Sequence, residues 1–266
     1  MTQLYDLIAI GTGSAANSVV TRCAEAGWKI AVVDEREYGG TCALRGCDPK
    51  KVLAGAAELI DWNERMLGKG IQGRTTINWP ELMAFKRTFT ASIPRASEDK
   101  FKQAGMDTFH GKASFVDEDH IRVGDEVLHG KHILIATGAQ PAPLPIDGSE
   151  HLLNSDEFLE LDQLPDQLVL VGGGYIAFEF AHIAARAGSE VHMIHRGERP
   201  LEQFDPELVD LLVQKSEEIG IHIHLNAEVK SIRKQGETFV VSGTRNGADH
   251  QWHGGRVVMG RDVSLM

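Results

Sequence analysis

The chain has 266 residues, of which 42% are hydrophobic and 24% charged, and its formal net charge is -11. This is enough apolar material for one large or two ordinary domains, so the composition does not favour disorder. The acidic balance argues against nucleic acids and anionic membranes as partners, because clustered Lys and Arg bind both. With no signal peptide or membrane-length apolar run, we expect a cytoplasmic protein that acts on small molecules.

The first predicted elements are a buried strand at Leu7–Ile10, a glycine-rich turn and an apolar helix. The turn has the spacing Gly11-x-Gly13-x-x-Ala16, and the strand after the helix ends at Asp34. Together these features form the dinucleotide-binding pattern, in which small residues let backbone N–H groups approach a pyrophosphate and the acid accepts hydrogen bonds from ribose hydroxyls. An ordinary glycine-rich turn is the less favoured alternative.

The next feature is a segment with two cysteines, Gly39–Lys50, which reads GGTCALRGCDPK. Cys42 and Cys47 are five residues apart and lie before a predicted helix, with Asp48 in a capping position and Pro49 in the first turn. Such a pair can close a strained disulfide whose thiolates the helix N-terminus stabilises, which predicts a redox-active centre. Two unrelated thiols are the alternative. A zinc site would need further Cys or His at suitable spacing.

A long segment with its own predicted elements follows. The Trp79–Phe101 stretch is predicted to be helical and amphipathic, and Ala113–Val116 and His120–Val123 are predicted to be short strands. Lys131–Gly138 is predicted to be a buried strand, and its final Ala-Thr-Gly would let a backbone approach a ligand. The proline-rich segment Gln140–Pro145 is predicted to be a linker.

The strand, turn and helix pattern then repeats. Leu168–Val171 is a predicted buried strand, Gly172–Ala177 the turn, Phe178–Ala187 the helix and Glu190–Ile194 the next strand. No acid ends this second strand, and the chain instead continues with His195 and Arg196. Because Arg suits a ribose 2′-phosphate better than a free hydroxyl, this unit favours NADP.

The last third of the chain alternates between polar and apolar residues at His222–Leu225, which predicts a half-buried strand. His222 and His224 would share one face of it and could in principle bind a metal ion. A solvated strand face is the preferred interpretation, because no third ligand lies nearby at metal spacing. No metal ion is therefore expected.

Together these motifs resemble the class I pyridine nucleotide-disulfide oxidoreductases, the family of glutathione reductase, dihydrolipoamide dehydrogenase and mercuric reductase. The GGTCxxxxCxPK motif matches residues 39–50, and the likeness extends over both glycine-rich turns, Ala136–Gly138, Glu179 and Gly260–Arg261. The resemblance implies an α/β fold of two tandem Rossmann-like, doubly wound units. An FAD-binding domain would occupy 1–145, and an NAD(P)-binding domain inserted in it would occupy 146–266.

The resemblance also implies which residues form the site. The catalytic residues would be Cys42, Cys47, Lys50 and Glu179, the last two paired beside the flavin N5. The FAD-binding residues would be Gly11, Gly13, Ser14, Ala15, Asp34, Thr41, Ala113, Thr137 and Gly138. The NADPH-binding residues would be Gly172, Gly174, Tyr175, Ile176, Arg196 and Arg199, with Tyr175 gating the nicotinamide pocket.

The implied activity is electron transfer from NADPH, or less favourably NADH, through FAD to a disulfide between Cys42 and Cys47, and then to a small-molecule acceptor. Cys42 would become the attacking thiolate, with a depressed pKa. The acceptor is left open among glutathione disulfide, lipoamide, another small disulfide and a metal ion.

Two departures from the family pattern stand out. Asp48 follows Cys47 where an apolar residue is usual, and its negative charge should oppose thiolate formation. Family members are also longer and continue into a further FAD-contacting segment and a homodimer-interface domain with a His-Glu pair, which we expect to be absent here. Residues 254–266 also fit the family poorly, which is consistent with a truncation or an altered reading frame. The alternative function is therefore a truncated, non-catalytic nucleotide-binding fragment.

Overall fold

The computed structural model of the protein describes residues 3–260 and 263–265, and the side chains of residues 3–260. It has the predicted α/β fold, with two compact units that interleave along the chain. The first unit comprises the segment that ends at Pro49, Arg87–Ala139 and Leu265, and the second comprises Lys50–Lys86 and Gln140–Ser264. The domain bounds 1–145 and 146–266 stay a prediction, and the segment 50–86 packs with the second unit.

The elements of the first half follow the chain in this order: β1 (Leu4–Tyr5), β2 (Leu7–Ile10), α1 (Ser14–Glu25), β3 (Ile30–Asp34), α2 (Gly40–Arg45), α3 (Cys47–Met66), α4 (Trp79–Thr90), α5 (Ile93–Gln103), β4 (Asp107–His110), β5 (Ala113–Phe115), β6 (His120–Val123), β7 (Glu126–Gly130), β8 (Ile133–Ile135) and β9 (Ala139–Pro141).

The second half continues with β10 (Leu152–Leu153), α6 (Ser155–Phe158), β11 (Gln167–Val171), α7 (Tyr175–Arg186), β12 (Glu190–Ile194), α8 (Pro206–Glu218), β13 (Ile221–His224), β14 (Ala227–Gln235), β15 (Thr238–Arg245), β16 (Ala248–Gly254), β17 (Arg256–Met259) and β18 (Val263–Leu265). A short 3-10 turn at Ser149–His151 precedes β10. Within the described residues, no helix is long and apolar enough to cross a bilayer.

The first unit is built around a parallel sheet with the strand order β4-β3-β2-β8, and a second sheet has the order β1-β7-β6-β5. Successive residues of β2 alternate between two apolar clusters, with Leu7 and Ala9 in one and Ile8 in the other. Because both faces of β2 are covered in this way, its sequence is a continuous apolar run. The sheet thereby fixes the end of β2, from which the first glycine turn departs.

The second unit contains a parallel sheet with the order β10-β17-β11-β12-β13 and an antiparallel sheet with the order β14-β15-β16. Helix α7 packs in an apolar cluster with Leu168 and Leu170 of β11. Val169 and Val171 point to the other face, where they pack in a cluster with Val241 of the antiparallel sheet. This alternation follows from the period of two along a strand.

The structure divides one predicted helical stretch in two and corrects two other helix predictions. The Trp79–Phe101 stretch forms two helices, α4 and α5, because Pro94 lies in the first turn of α5 and lacks the N–H that a continuous helix would bond to the carbonyl of Thr90. Helix α3 begins at Cys47, so Asp48 lies in its first turn and does not cap it. Helix α7 begins at Tyr175 and not at Phe178, since the second glycine turn ends at its N-cap residue.

The strand predicted at Lys131–Gly138 is also shorter and less buried than expected. Only Ile133–Ile135 forms β8, and Ile135 is 62% exposed. The reason is its place in the sheet, since among the described strands β8 pairs with β2 alone and forms one edge. The strands predicted at His120–Val123 and at Glu190–Ile194 are confirmed.

Candidate functional site

The first glycine turn connects β2 to α1 in a conformation that only small residues allow. Gly11 has φ +108°, and a Cβ atom on it would lie 2.2 Å from the carbonyl oxygen of Ala136. Gly13 is the N-cap of α1 and no side chain caps this helix, so the first N–H groups of the helix, beginning at the exposed residues Ser14 and Ala15, have no partner within it. Such a helix start attracts an anion.

Asp34 ends β3 next to this turn. Its Oδ2 accepts a hydrogen bond from Thr12 Oγ1 at 2.6 Å, and its Oδ1 accepts one from the backbone N–H of Arg36 at 3.0 Å. Thr12 Oγ1 in turn accepts the N–H of Gly39 at 3.1 Å. Since a carboxylate can accept about four hydrogen bonds, Asp34 retains capacity for further donors. Sequence analysis missed Thr12, although its position between the two glycines of the turn was a usable signal.

The loop that leads to the cysteines packs directly on the first glycine turn. Gly40 has φ +72°, and a Cβ atom on it would lie 2.3 Å from the Cα atom of Gly13. Helix α2 then carries Thr41 and Cys42, and α3 begins with Cys47. The double glycine at the start of the motif therefore brings the cysteine segment against the predicted pyrophosphate turn.

Cys42 and Cys47 are free thiols in this structure, and their side chains are hydrogen bonded to each other. Cys47 is exposed, and Cys42 is half-buried. The hydrogen bond with Cys47 is the main cause that raises the pKa of the Cys42 thiol, and burial and the charge of Asp48 raise it further. The expectation of a depressed Cys42 pKa is therefore wrong for this reduced pair, whereas the expected opposing effect of Asp48 is confirmed.

The other residues predicted to bind FAD lie in the same unit. Thr137 and Gly138 are exposed and follow β8, directly after Ala136, whose carbonyl approaches Gly11. The structure therefore brings them to the first glycine turn. Ala113 lies at the start of β5, in the other sheet, and packs against an apolar cluster of the first unit.

The second glycine turn lines a cavity of about 770 Å³ in the second unit. Gly172 has φ +117°, and a Cβ atom on Gly173 would lie 2.8 Å from Nδ1 of His195. Gly174 is the N-cap of α7, again without a side-chain cap. The turn thus presents another uncapped helix start to a cavity of the size that small-molecule sites have, about 300–1,000 Å³.

The predicted NADPH-binding side chains divide into two groups. Tyr175 and Arg196 line the cavity, and both are exposed, whereas Ile176 packs against the apolar cluster beneath α7. Arg199 does not line the cavity, and its guanidinium forms two hydrogen bonds of 3.2 Å to the carboxylate of Asp210. Glu202, which sequence analysis did not single out, lines the cavity as well.

Lys50 and Glu179 form an ion pair in the second unit, between α3 and α7. Lys50 Nζ donates to Glu179 Oε1 at 2.6 Å, and the side chains are 26% and 39% exposed. Residues 129 apart in the sequence are thus brought together. Their position beside a flavin stays a prediction. Arg261 lies outside the described residues, as does part of the poorly matching segment 254–266.

Comparisons with known proteins agree with this geometry. A family model described as pyridine nucleotide-disulphide oxidoreductase matches residues 5–260. The chain is 33% identical over 232 residues to glutathione reductase of Burkholderia cepacia, which covers 87% of this chain and 52% of the relative. It is 32% identical over 248 residues to mercuric reductase of Lysinibacillus sphaericus. This alignment covers 92% of this chain and 45% of the relative. The chain spans about half the length of the curated relatives it matches.

Solved structures give the same result. The HOCl-induced flavoprotein disulfide reductase RclA from Escherichia coli superposes with a TM-score of 0.85 at 27% identity, over 97% of this chain and 57% of that chain. A Cu(II) complex of the same protein superposes with a TM-score of 0.86 at 26% identity. This superposition covers 98% of this chain and 57% of that chain. The family model matches nearly the whole of this chain. The chain therefore belongs to the pyridine nucleotide-disulphide oxidoreductases, a family that binds FAD and depends on NAD(P)H.

Proposed function

We propose that this chain forms the FAD- and NADPH-binding part of an oxidoreductase that reduces a small-molecule disulfide through Cys42 and Cys47. The observation that carries the proposal is the contact between these two thiols, on a segment whose Gly40 packs against the first glycine turn. The two thiols and the first glycine turn thus lie in one unit, and Gly40, two residues before Cys42, contacts Gly13 of that turn.

The first unit fits FAD at two points. Gly11 leaves no room for a side chain, and the uncapped start of α1 offers backbone N–H groups to a diphosphate. Asp34 ends β3 with acceptor capacity for ribose hydroxyls. When bound, FAD would supply the two-electron chemistry that links NADPH to the cysteine pair.

The second unit fits NADPH. Its cavity combines the uncapped start of α7, Tyr175 at its wall and the exposed guanidinium of Arg196. Arg196 follows a strand that ends without an acid, and a guanidinium suits a 2′-phosphate. Glu202 shares the cavity, and its negative charge acts against the same phosphate. The preference for NADPH over NADH therefore depends on Arg196.

The cysteine pair would transfer electrons by thiol–disulfide exchange. Two electrons and two protons convert the Cys42–Cys47 disulfide to two thiols. The Cys42 thiolate then attacks one sulfur of the acceptor, which forms a mixed disulfide and expels the first product thiolate. Cys47 next attacks the Cys42 sulfur, which expels the second product thiolate and restores the disulfide. The raised pKa of Cys42 means that the first attack requires removal of a proton from this thiol.

Lys50 and Glu179 would position the reacting groups. Lys50 lies one turn after Cys47 on α3, and its ion pair with Glu179 holds the ammonium group in place. A fixed ammonium stabilises negative charge that develops nearby, which is how it would assist reduction of the disulfide. Because both side chains are partly exposed, the pair itself is expected to add little to stability.

The redox pair is tested by counting thiols under denaturing conditions in protein purified without reductant, before and after reduction. Reduction should release two additional thiols, and a Cys42→Ser variant should release none from this pair. If all three cysteines already react before reduction, and mild oxidation does not remove two of them, the proposed function does not hold.

A further inference from the structure

Histidine and glutamate side chains from two neighbouring strands meet on one face of the parallel sheet in the second unit. β12 and β13 run parallel, with His192 opposite His222 and Ile194 opposite His224. Because side chains two residues apart share a face of a strand, Glu190 projects to the same side as His192. Sequence analysis found no third ligand near His222 and His224, whereas the pairing of the strands supplies two.

The atoms of this group have the spacing of metal ligands. Glu190 Oε1 lies 3.3 Å from His192 Nε2 and 3.8 Å from His222 Nε2. The three ligand atoms all lie within 4.8 Å of one another. Around a tetrahedral zinc ion, with bonds of about 2.0–2.1 Å, two ligand atoms are about 3.3 Å apart. The exposed His222 side chain, whose Nε2 is 3.8 Å from Glu190 Oε1, would have to move closer and turn to reach that geometry.

Neighbouring side chains hold two of the ligands in orientation. Gln167 Nε2 donates to Glu190 Oε2 at 2.8 Å, which leaves Oε1 facing the imidazoles. His192 Nδ1 lies 3.0 Å from His224 Nε2. With a metal ion on His192 Nε2, the ring proton is on Nδ1 and is donated to His224. Metal-binding histidines usually make such a bond through their second nitrogen.

Ring stacking also holds the two imidazoles beside each other. The rings of His192 and His222 stack with centroids 4.8 Å apart, so both are held near Glu190.

We propose that Glu190, His192 and His222 bind one divalent transition-metal ion such as Zn²⁺, and that His224 positions His192. Two imidazoles and one carboxylate suit borderline ions, whereas Mg²⁺ and Ca²⁺ prefer oxygen ligands throughout. The side chains of His222 and Glu190 are 53% and 47% exposed, so the remaining coordination positions face solvent. Glu190 begins β12, while the nucleotide cavity is lined by Ile194 at the opposite end of this strand.

The first test is a calorimetric titration of the full chain with Zn²⁺. All proteins carry Cys→Ser substitutions at the three cysteines and His120→Ala, because thiolates bind zinc and because Asp119, His120 and His129 form a second group with ligand spacing. One equivalent of zinc should bind, and His222→Ala or Glu190→Gln should lower the zinc affinity by about a hundredfold. His253→Ala, which removes an exposed histidine of β16, is the matched control and should leave it unchanged.

The second test keeps the unsubstituted chain and follows the histidine side chains by ¹H–¹⁵N NMR during zinc addition. The Nε2 resonances of His192 and His222 should shift together and saturate, while that of His253 should not move. Unchanged His192 and His222 resonances in excess zinc, or equal zinc affinity in the His222→Ala and His253→Ala proteins, would overturn the proposal.

Discussion

At the scale of single residues, the cysteine motif departs from its family at one position with a direct chemical consequence. Asp48 stands beside Cys47, and its charge is one of the causes that raise the pKa of Cys42. This effect could be predicted from the sequence, since a negative charge always disfavours a neighbouring thiolate. The main cause could not, because a hydrogen bond between the two thiols depends on how α2 meets α3.

Replacing Asp48 should therefore make Cys42 more reactive. In Asp48→Asn, loss of the charge lowers the pKa of Cys42, so alkylation of the reduced pair below that pKa should be faster. The measurement is the rate of iodoacetamide labelling of Cys42 against pH, in a Cys23→Ser background. Glu58→Gln, an exposed neutralisation further along α3, is the control and should match the parent rate. An unchanged profile in Asp48→Asn would mean that Asp48 does not influence this thiol.

Cofactor choice also belongs to the residue scale, because Arg196 and Arg199 differ in environment despite their proximity in sequence. Arg196→Ala should weaken NADPH binding by about tenfold or more, the usual value of a charge-assisted hydrogen bond, and leave NADH almost unchanged. Arg199→Ala should have a smaller effect, because Arg199 is paired with Asp210. Glu202→Gln should tighten NADPH. Fluorescence titration with NADPH and NADH measures the affinities of all three variants. Equal NADPH and NADH affinities in the parent protein would contradict the assignment of Arg196 to the 2′-phosphate.

At the scale of elements, the loop before α2 depends on a glycine contact that no other residue can make. A Gly40→Ala side chain would be 2.3 Å from Gly13 Cα, on a backbone with φ +72°. We expect a loss of about 2 kcal/mol or more in the free energy of unfolding, together with weaker FAD binding.

Gly55 is the matched control for this prediction. It lies inside α3, and a Cβ atom on it would meet nothing within 4 Å. Gly55→Ala should therefore stabilise the protein by about 0.5–1 kcal/mol. Urea unfolding and FAD titration of both variants distinguish the two positions, and equal stabilities would show that the contact between Gly40 and Gly13 is not tight.

A second prediction at this scale concerns His182, which connects α7 to α8. Its Nδ1 accepts a hydrogen bond from Arg186, and its Nε2 lies 2.9 Å from the Oγ atom of the buried Ser216. Burial and the charges of Arg186 and Lys215 lower the pKa of His182 from 6.5 to about 4, against an opposing effect of Asp61.

The unfolded chain therefore binds a proton at His182 before the folded chain does, and stability should fall as the pH drops from 6.5 to about 4. The contribution is on the order of 3 kcal/mol. In His182→Gln, urea unfolding across this range should show a correspondingly smaller pH slope, and His253→Ala should keep the parent slope. If the free energy of unfolding had the same pH slope in the parent and in His182→Gln, His182 would not be neutral in the folded chain.

At the scale of the whole molecule, the order of elements could be predicted from the sequence because each signal is local. Apolar runs, glycine turns and helix ends all lie within one unit of strand, turn and helix. What joins distant segments could not be predicted from residue patterns alone. The pairing of β12 with β13 brings Glu190 to His222, and the packing of segment 50–86 with the second unit brings Lys50 to Glu179. The latter pair was expected only through family resemblance.

The central claim is that NADPH reduces the cysteine pair of this protein through FAD. The most direct measurement is an anaerobic addition of NADPH to the FAD-reconstituted, oxidised protein, followed by quenching and thiol counting. The account predicts two new thiols, at Cys42 and Cys47, in the parent protein and none at these positions in Cys42→Ser or without FAD. Consumption of NADPH by the FAD-loaded protein without any gain of thiols at Cys42 and Cys47 would contradict it.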